Sequence, residues 1–228
     1  MSDSWKEPQF AKEYMDGANN MSLNWYEHFV NAASLWSLIL KETNTVLDFG
    51  CGPGEFTAQL KEKGYAVSGC DGSEAMVELA EAHYSDIDFF VWDGTSPISD
   101  DKRYDAIVTK LTLHFVDDLA VLARNFAPAL QPNGSLIISV PHPMSTMPKA
   151  NGEYFEQVPY DTEIGSYGMY VTMIHRSVQD YINPFLNNGY VMTAIVEPII
   201  PDDIIKKYNV AEGYAAIPRR LNLRFKRA

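Results

Sequence analysis

Residues 46–55, with the sequence VLDFGCGPGE, constrain the fold of this chain more than any other segment. A short apolar run, residues 45–49, leads directly into closely spaced glycines, and a helix-like segment follows. Such a run is typical of a strand buried on both faces of a parallel sheet, and glycines permit a tight turn with close approach of a ligand. The segment therefore predicts a strand, a ligand-binding loop and a helix whose first N–H groups face that ligand.

The same alternation continues along the chain. Predicted strands cover residues 45–49, 65–70, 88–92, 104–109, 135–140, 190–197 and 221–226. Predicted helices cover residues 22–41, 57–63, 73–84, about 118–130 and 177–188, with Ser73 and either Asp117 or Asp118 as N-caps. The dipeptide Asn133-Gly134 after Pro132 predicts a turn. Alternating strands and helices predict a doubly wound α/β fold.

The length of 228 residues and the hydrophobic content of 46% predict one domain with one sizeable core. Residues 1–43 are expected to form N-terminal helices or a cap, residues 44–142 the cofactor-binding core, and residues 177–228 a C-terminal helix with closing strands. Residues 143–176 break the alternation and are rich in aromatic residues. They predict a lid-like insertion.

The charge of the chain excludes some partners. Lys and Arg number 18 and Asp and Glu number 30, which gives a net charge of −12. An acidic chain repels phosphate backbones and anionic membranes, so nucleic acid is an unlikely partner and a membrane is not expected. The last ten residues hold five basic residues and no acid, which predicts a solvated basic strand, with a phosphate-binding tail as the alternative. The oligomeric state stays open.

Cysteine content and the N-terminus bear on the compartment. The chain has two cysteines, its start lacks a basic and apolar leader, and no apolar run reaches the length of a membrane span. These features predict a soluble protein in a reducing cytoplasm. No histidine and cysteine cluster has zinc spacing, so no metal is expected. Cys51 lies among acidic residues, which raise the pKa of a thiol and favour a packing role.

The acidic residues around the glycine loop indicate what it binds. Glu55 stands where a dinucleotide fingerprint has its third glycine, and Asp48 precedes the loop, so a pyrophosphate would be repelled. Asp71 ends the second predicted strand, where an acid can accept the hydroxyls of a ribose. Asp93 ends the third, where an acid can accept an exocyclic amine such as that of adenine. Carboxylates at successive strand ends suit an adenosine that carries a sulfonium and an ammonium.

These residues resemble the motifs of a known family. Residues 48–54 (DFGCGPG) look like motif I of the class I S-adenosylmethionine-dependent methyltransferases, and residues 93–94 (DG) look like their adenine-site turn. Residues 104–119 (YDAIVTKLTLHFVDDL) resemble their fourth motif, and residues 130–138 (LQPNGSLII) the turn before their fifth strand. The resemblance implies a Rossmann-like sheet of seven strands, mostly parallel with an antiparallel last strand. It also implies an enzyme that uses S-adenosylmethionine and releases S-adenosylhomocysteine.

The predicted cofactor-binding residues all belong to these motifs and strand ends. They are Asp48, Gly50, Cys51, Gly52, Gly54, Asp71, Gly72, Met76, Trp92, Asp93, Gly94, Lys110 and Leu111.

The acceptor is expected to be a small molecule whose methylated atom, N, O or C, stays open. The Asn-Pro-Pro-Tyr type of motif is absent, since Thr109-Lys110-Leu111-Thr112 stands after the fourth strand. The catalytic candidates are His114 and His142, which follow the fourth and fifth strands, and Tyr14, which matches a tyrosine that the resembling enzymes place over the cofactor. His175, at the border of the lid, is a weaker candidate.

Three alternatives remain open at this point. The first is an RNA or protein methyltransferase, because the same core serves every kind of acceptor. The second is a nucleotide-binding oxidoreductase, which Glu55 disfavours. The third is a non-catalytic protein that binds S-adenosylmethionine.

Overall fold

The computed structural model describes residues 3–18, 25–98, 102–164, 168–211 and 213–228. Its strands are β1 (Thr45–Phe49), β2 (Ala66–Asp71), β3 (Asp88–Val91), β4 (Tyr104–Lys110), β5 (Leu130–Pro141), β6 (Val158–Ile164), β7 (Met169–His175), β8 (Tyr190–Val196) and β9 (Arg220–Arg227). Seven of them form one sheet in the order β3-β2-β1-β4-β5-β9-β8, and β6 pairs with β7 in a separate hairpin.

Helices cover both faces of the sheet. They are α1 (Pro8–Ala18), α2 (Ala32–Leu38), α3 (Glu55–Glu62), α4 (Glu74–His83), α5 (Leu119–Ala129), α6 (Pro143–Thr146), α7 (Val178–Leu186) and α8 (Asp202–Lys207). A π-helical segment, Tyr26–Asn31, precedes α2, and a 3-10 turn, Leu113–Phe115, follows β4. Two predicted N-caps are confirmed: Ser73 Oγ accepts from Met76 N–H, and Asp118 Oδ1 accepts from Ala120 and Val121 N–H.

The sheet confirms the predicted fold class. Strands β1 to β5 run parallel, and β9 runs antiparallel to both β5 and β8. The strand order reverses between β1 and β4. From β1 the chain adds β2 and then β3 on one side of the sheet, and from β4 it adds β5 on the opposite side. In doubly wound sheets a ligand binds outside the carboxyl ends of the strands at such a reversal. The glycine loop follows β1 and therefore lies at that point.

Strand β1 is buried on both faces, as its apolar run predicts. Leu47 and Phe49 pack with α5 on one face of the sheet. Val46 packs with α2 and α3 on the other. Because side chains alternate along a strand, Asp48 lies on the face of Val46 and points toward α3. There it accepts a hydrogen bond from Thr57 Oγ1 at 2.6 Å.

Several sequence expectations differ from the structure. Residues 143–176, expected only as a lid-like insertion, hold the two short helical turns of residues 143–149 and the β6–β7 hairpin. Residues 132–134 form a bulge inside β5 rather than a turn before it, and Asn133 has a φ of 66° there. The single helix expected over 22–41 is instead a π-helical segment joined to α2, and residues 19–24 lie outside the described ranges.

Candidate active site

The loop between β1 and α3 holds three glycines in the left-handed region, Gly50, Gly52 and Gly54. Gly50 has a φ of +73°, and a Cβ there would lie 2.2 Å from Cγ2 and Oγ1 of Thr112. Gly52 has a φ of +54°, but a Cβ there would meet nothing within 4 Å. The N–H groups of Gly50 and Cys51 donate to the carbonyl of Cys70 at the end of β2. The loop is thus fixed to the neighbouring strand while its backbone at Gly52 stays open to a ligand.

Four carboxylates line one cavity of about 140 Å³ beside this loop. They come from Asp48 in β1, Glu55 at the start of α3, Asp71 at the end of β2 and Asp93 after β3. Burial raises the pKa of Asp48 to about 7, against the opposing effects of the Thr57 hydrogen bond and the Lys110 ammonium. Burial also raises the pKa of Asp71 and of Glu55. Clustered acids with raised pKa values are typical of functional sites.

The carboxylates differ in how far their hydrogen bonds are satisfied. Asp71 accepts from Gly52 N–H and from Ser73 N–H, both at 2.9 Å, so it ties the glycine loop to the start of α4. Asp93 Oδ1 accepts from the N–H and the hydroxyl of Thr95. Glu55 Oε1 is buried and has no hydrogen-bond partner among the described residues. A cationic or hydroxyl-bearing ligand would satisfy that oxygen, so the side chains of this cavity are chemically complementary to a cationic nucleoside.

Most of the predicted cofactor-binding residues line this cavity. Besides the three predicted aspartates, the lining includes Gly50, Cys51, Gly52, Gly72, Met76, Lys110 and Leu111. Leu111 has a φ of 58°, which is unusual for a bulky residue and places a strained backbone at the cavity. Burial, with Asp48 and Asp71 adding to it, raises the pKa of the Cys51 thiol well above its usual value.

Three predicted cofactor residues lie outside the lining described for the cavity. Trp92 packs in the core, and its indole N–H donates to the carbonyl of Ser96. A Cβ at Gly54 would lie 2.9 Å from the ring of Phe89. A Cβ at Gly94 would lie 2.3 Å from Leu122. Close packing, together with a φ of +89° at Gly54 and +75° at Gly94, therefore accounts for these glycines.

A second cavity, of about 410 Å³, adjoins the first. The two share residues on both sides of their junction: Trp5, Tyr14, His28, Glu55, Lys110, Leu111 and Phe115. The ring of Trp5 packs edge-on against Tyr14 and Phe115, with centroid distances of 5.2 Å. Tyr14, in α1, thus lies where the two cavities meet.

His114 is the histidine that lines the second cavity beyond the junction. Its side chain is buried, and its Nδ1 has no hydrogen-bond partner in the described part of the chain. Burial lowers the pKa of His114 to about 3, and the charges of Arg220 and Arg176 add to that effect. The imidazole is therefore neutral at physiological pH, and its buried Nδ1 is left unsatisfied by the described residues.

His142 and His175 have both ring nitrogens engaged. His142 Nδ1 accepts from Met144 N–H, and Nε2 lies 2.7 Å from Glu197 Oε1. His175 Nδ1 lies 2.6 Å from Thr146 Oγ1, and Nε2 lies 3.1 Å from the carbonyl of Tyr154. Each ring joins segments that are distant in the sequence. Among the described residues that line the two cavities, neither histidine is present.

The structure also places residues at the site that the sequence did not single out. Arg220, at the start of β9, lines the second cavity and pairs with Glu27 at 2.5 Å. The expectation of a solvated basic strand is wrong for this residue, since its side chain is 21% exposed. Arg176 is fully buried, and its guanidinium donates to the carbonyls of Leu113, Val116 and Asp117. Their partners come from distant segments, so no local signal marks these arginines.

The fold is a doubly wound α/β sheet, with two adjoining cavities at the carboxyl ends of its central strands. A family model described as a methyltransferase domain matches residues 22–179, and the chain belongs to that family. This confirms the resemblance to the class I S-adenosylmethionine-dependent methyltransferases.

Solved and curated relatives agree with the family. A S-adenosylmethionine-dependent methyltransferase from Mesorhizobium loti superposes with a TM-score of 0.73 at 27% identity, covering 86% of this chain and 96% of that one. The ubiquinone biosynthesis O-methyltransferase of Coxiella burnetii is 26% identical over 148 residues, 58% of this chain and 63% of that protein's length. The trans-aconitate 2-methyltransferase of Delftia acidovorans is 31% identical over 106 residues, 45% of this chain and 40% of that protein.

The described residues contain neither a membrane-spanning helix nor a group of metal ligands. Among their helices, none combines the length and the apolar surface that a membrane crossing requires. Within the same ranges, no group of three or more His, Cys, Asp or Glu side chains is arranged to hold a metal ion.

Proposed function

We propose that this protein transfers a methyl group from S-adenosylmethionine to a small molecule, with the cofactor in the smaller cavity and the acceptor in the larger one. The observation that carries the proposal is the four-carboxylate cavity, which opens directly into a second cavity past Tyr14 and Lys110. Acids at the carboxyl ends of β1, β2 and β3 favour a ligand that is cationic and rich in hydroxyl groups.

Different residues of the first cavity are proposed to contact different parts of the cofactor. Asp71 and Asp93 are proposed to accept hydrogen bonds from its ribose and adenine. Asp48 and Glu55 are proposed to face its positive charges, and the open backbone at Gly52 allows close approach. When bound, S-adenosylmethionine supplies a methyl group that its sulfonium has already activated.

The protein's remaining contribution is alignment, exclusion of water and, for some acceptors, handling of a proton. His114, which lines the larger cavity, is proposed to accept a hydrogen bond from the acceptor's nucleophilic group and so to orient that group. Its low pKa favours this positioning role over that of a strong base. Tyr14 and Trp5 close the junction between the cavities from the N-terminal side.

A small acceptor suits the larger cavity. Its volume of about 410 Å³ lies within the range of small-molecule sites, and the hairpin residues Tyr160 and Met173 form part of its wall. The Coxiella and Delftia relatives are named for small-molecule acceptors. The net charge of −12 disfavours a nucleic-acid acceptor.

Calorimetry with S-adenosylhomocysteine tests the cofactor site directly. We expect binding at submillimolar levels, and Asp71→Asn should weaken it by about 1.5–3 kcal/mol, because a charged acceptor is lost. Asp203→Asn, an exposed residue of α8, is the matched control and should leave the affinity unchanged. Absence of binding would overturn the proposal, and equal affinity in Asp71→Asn would overturn the ribose assignment.

A methyl-labelled transfer assay across a metabolite mixture tests the acceptor class. We expect label in a small molecule. Label recovered only in RNA or protein would refute the acceptor assignment, and binding without any transfer would indicate a non-catalytic protein.

A further inference from the structure

The larger cavity concentrates positive charge in a chain that is strongly acidic overall. Its basic lining residues are Lys110, Lys149, Arg219 and Arg220, and its acidic ones are Glu27, Glu55 and Glu163. Lys110 and Glu55 also line the cofactor cavity, so they lie at the junction. The far part of the larger cavity therefore holds three cations against Glu27 and Glu163.

Neither of those two acids neutralises the cations that remain. Glu27 is committed to Arg220 at 2.5 Å and to Asn31 Nδ2 at 2.8 Å, and Arg220 lowers its pKa despite burial. Glu163 is exposed, and its Oε1 accepts from Gly168 N–H in the turn of the hairpin. Lys149 and Arg219 are left without a carboxylate partner in the described residues.

Lys149 and Arg220 are close enough to influence each other. Lys149 Nζ donates to Thr162 Oγ1 at 2.8 Å, and its pKa is lowered by burial and by the Arg220 charge. Arg220 Nε is buried and has no hydrogen-bond partner among the described residues. Like charges that share a cavity and an unsatisfied buried donor each cost free energy, and an anion bound near both cations would reduce these costs.

We propose, on the basis of the proposed function, that the methyl acceptor is a carboxylate-bearing small molecule whose carboxylate binds between Lys149 and Arg220. One carboxylate has two oxygens, which match one donor from each side chain. His114 lines the same cavity as Lys149 and Arg220, so an acceptor held by its carboxylate would share that cavity with the imidazole. The carboxylate anchors the acceptor, and His114 orients its reacting group. Neither Lys149 nor Arg220 takes part in the methyl transfer itself.

The test compares matched acids and amides on the protein saturated with S-adenosylhomocysteine. Benzoate with benzamide, phenylacetate with phenylacetamide, and glutarate with glutaramide are titrated by calorimetry. We expect at least one carboxylate to bind about tenfold more tightly than its amide, because charge-assisted hydrogen bonds are the stronger ones. Lys149→Gln keeps a donor for Thr162 but removes the charge, and it should abolish most of that preference without changing the affinity for S-adenosylhomocysteine.

Lys206→Gln, on the exposed side of α8, is the control and should retain the preference. The inference is overturned if no carboxylate outcompetes its amide, or if Lys149→Gln keeps the full preference and loses only thermal stability. That last result would assign Lys149 to holding the hairpin through Thr162. If S-adenosylhomocysteine itself fails to bind, the proposed function fails instead, so the two failures are distinguishable.

Discussion

At the scale of single residues, the two histidines after β4 and β5 have opposite surroundings. His114 Nδ1 has no hydrogen-bond partner among the described residues, whereas His142 uses Nδ1 for Met144 and Nε2 for Glu197. The sequence placed both at strand ends and therefore made them equal candidates. Only their hydrogen bonds separate them, and those depend on Glu197 and on the burial of residues far away in the chain.

Substituting each histidine by alanine should separate the two roles. His114→Ala is expected to lower kcat by about tenfold to a hundredfold, because acceptor orientation is lost, while leaving the affinity for S-adenosylhomocysteine unchanged. His142→Ala is expected to lower the free energy of unfolding by about 1–3 kcal/mol through the loss of buried hydrogen bonds, with kcat retained. Steady-state kinetics and urea denaturation of both variants provide the measurements. A large kcat loss in His142→Ala alone would reverse the assignment.

At the scale of elements, the close approach of Gly50 to Thr112 constrains the glycine loop. Gly50 and Gly64 both have positive φ, of +73° and +95°, but a Cβ would collide with Thr112 only at Gly50. Gly64→Ala should therefore show the backbone strain alone, about 1 kcal/mol. Gly50→Ala should lose more stability and also weaken S-adenosylhomocysteine binding.

Adding Thr112→Gly to Gly50→Ala should recover part of the stability, since it removes the atoms that collide. Urea denaturation of the three variants gives the comparison. Equal losses in Gly50→Ala and Gly64→Ala would show that contact with Thr112 does not constrain the loop.

Arg176 links the lid to the turn that carries His114. It follows β7, and its three hydrogen bonds reach the carbonyls of Leu113, Val116 and Asp117. Arg176→Met keeps most of the apolar stem but leaves those carbonyls without this donor. We expect a lower melting temperature and a raised KM for the acceptor, with S-adenosylhomocysteine affinity retained. An unchanged KM would mean that the lid and the His114 turn are held together by other contacts.

How far the elements could be predicted depends on the range of the signals. Some signals act on neighbours within a few residues, as do Ser73, Asp118 and the glycines after β1. Their caps and turns could therefore be predicted from the sequence. The position of β9 between β5 and β8 depends on long-range pairing. For the same reason Lys149 and Arg220 were missed, since the fold alone brings them to one cavity.

At the scale of the whole molecule, the structure shows where the charged side chains lie, whereas the sequence gives only their sum of −12. The smaller cavity is lined by four carboxylates and Lys110, whereas the larger cavity is lined by four basic and three acidic residues. The acidic cluster could be predicted because it lies at successive strand ends. The basic cluster could not, because its members come from the lid and the last strand.

The acidic cluster makes stability depend on pH. Asp48 has a pKa of about 7 in the folded protein, well above the usual value for Asp, so the folded state holds more protons between those two values. Its contribution to stability is therefore present at low pH and is lost as the pH rises toward 7, by up to about 1.4 kcal/mol per pH unit. His114, with its pKa lowered, acts in the opposite sense and reduces stability below about pH 6.5.

Asp48→Asn isolates the carboxylate, because the amide keeps an oxygen for Thr57 and does not titrate. We expect the wild-type protein without ligand to lose stability relative to Asp48→Asn as the pH rises from 5 to 8. S-adenosylmethionine, being cationic, favours the ionised carboxylate, so its stabilisation of the wild type should grow over that interval and stay flatter in the variant. Urea denaturation at each pH, with and without S-adenosylmethionine, measures both effects. Parallel curves for the two proteins would show that Asp48 is ionised throughout and that its burial does not govern cofactor affinity.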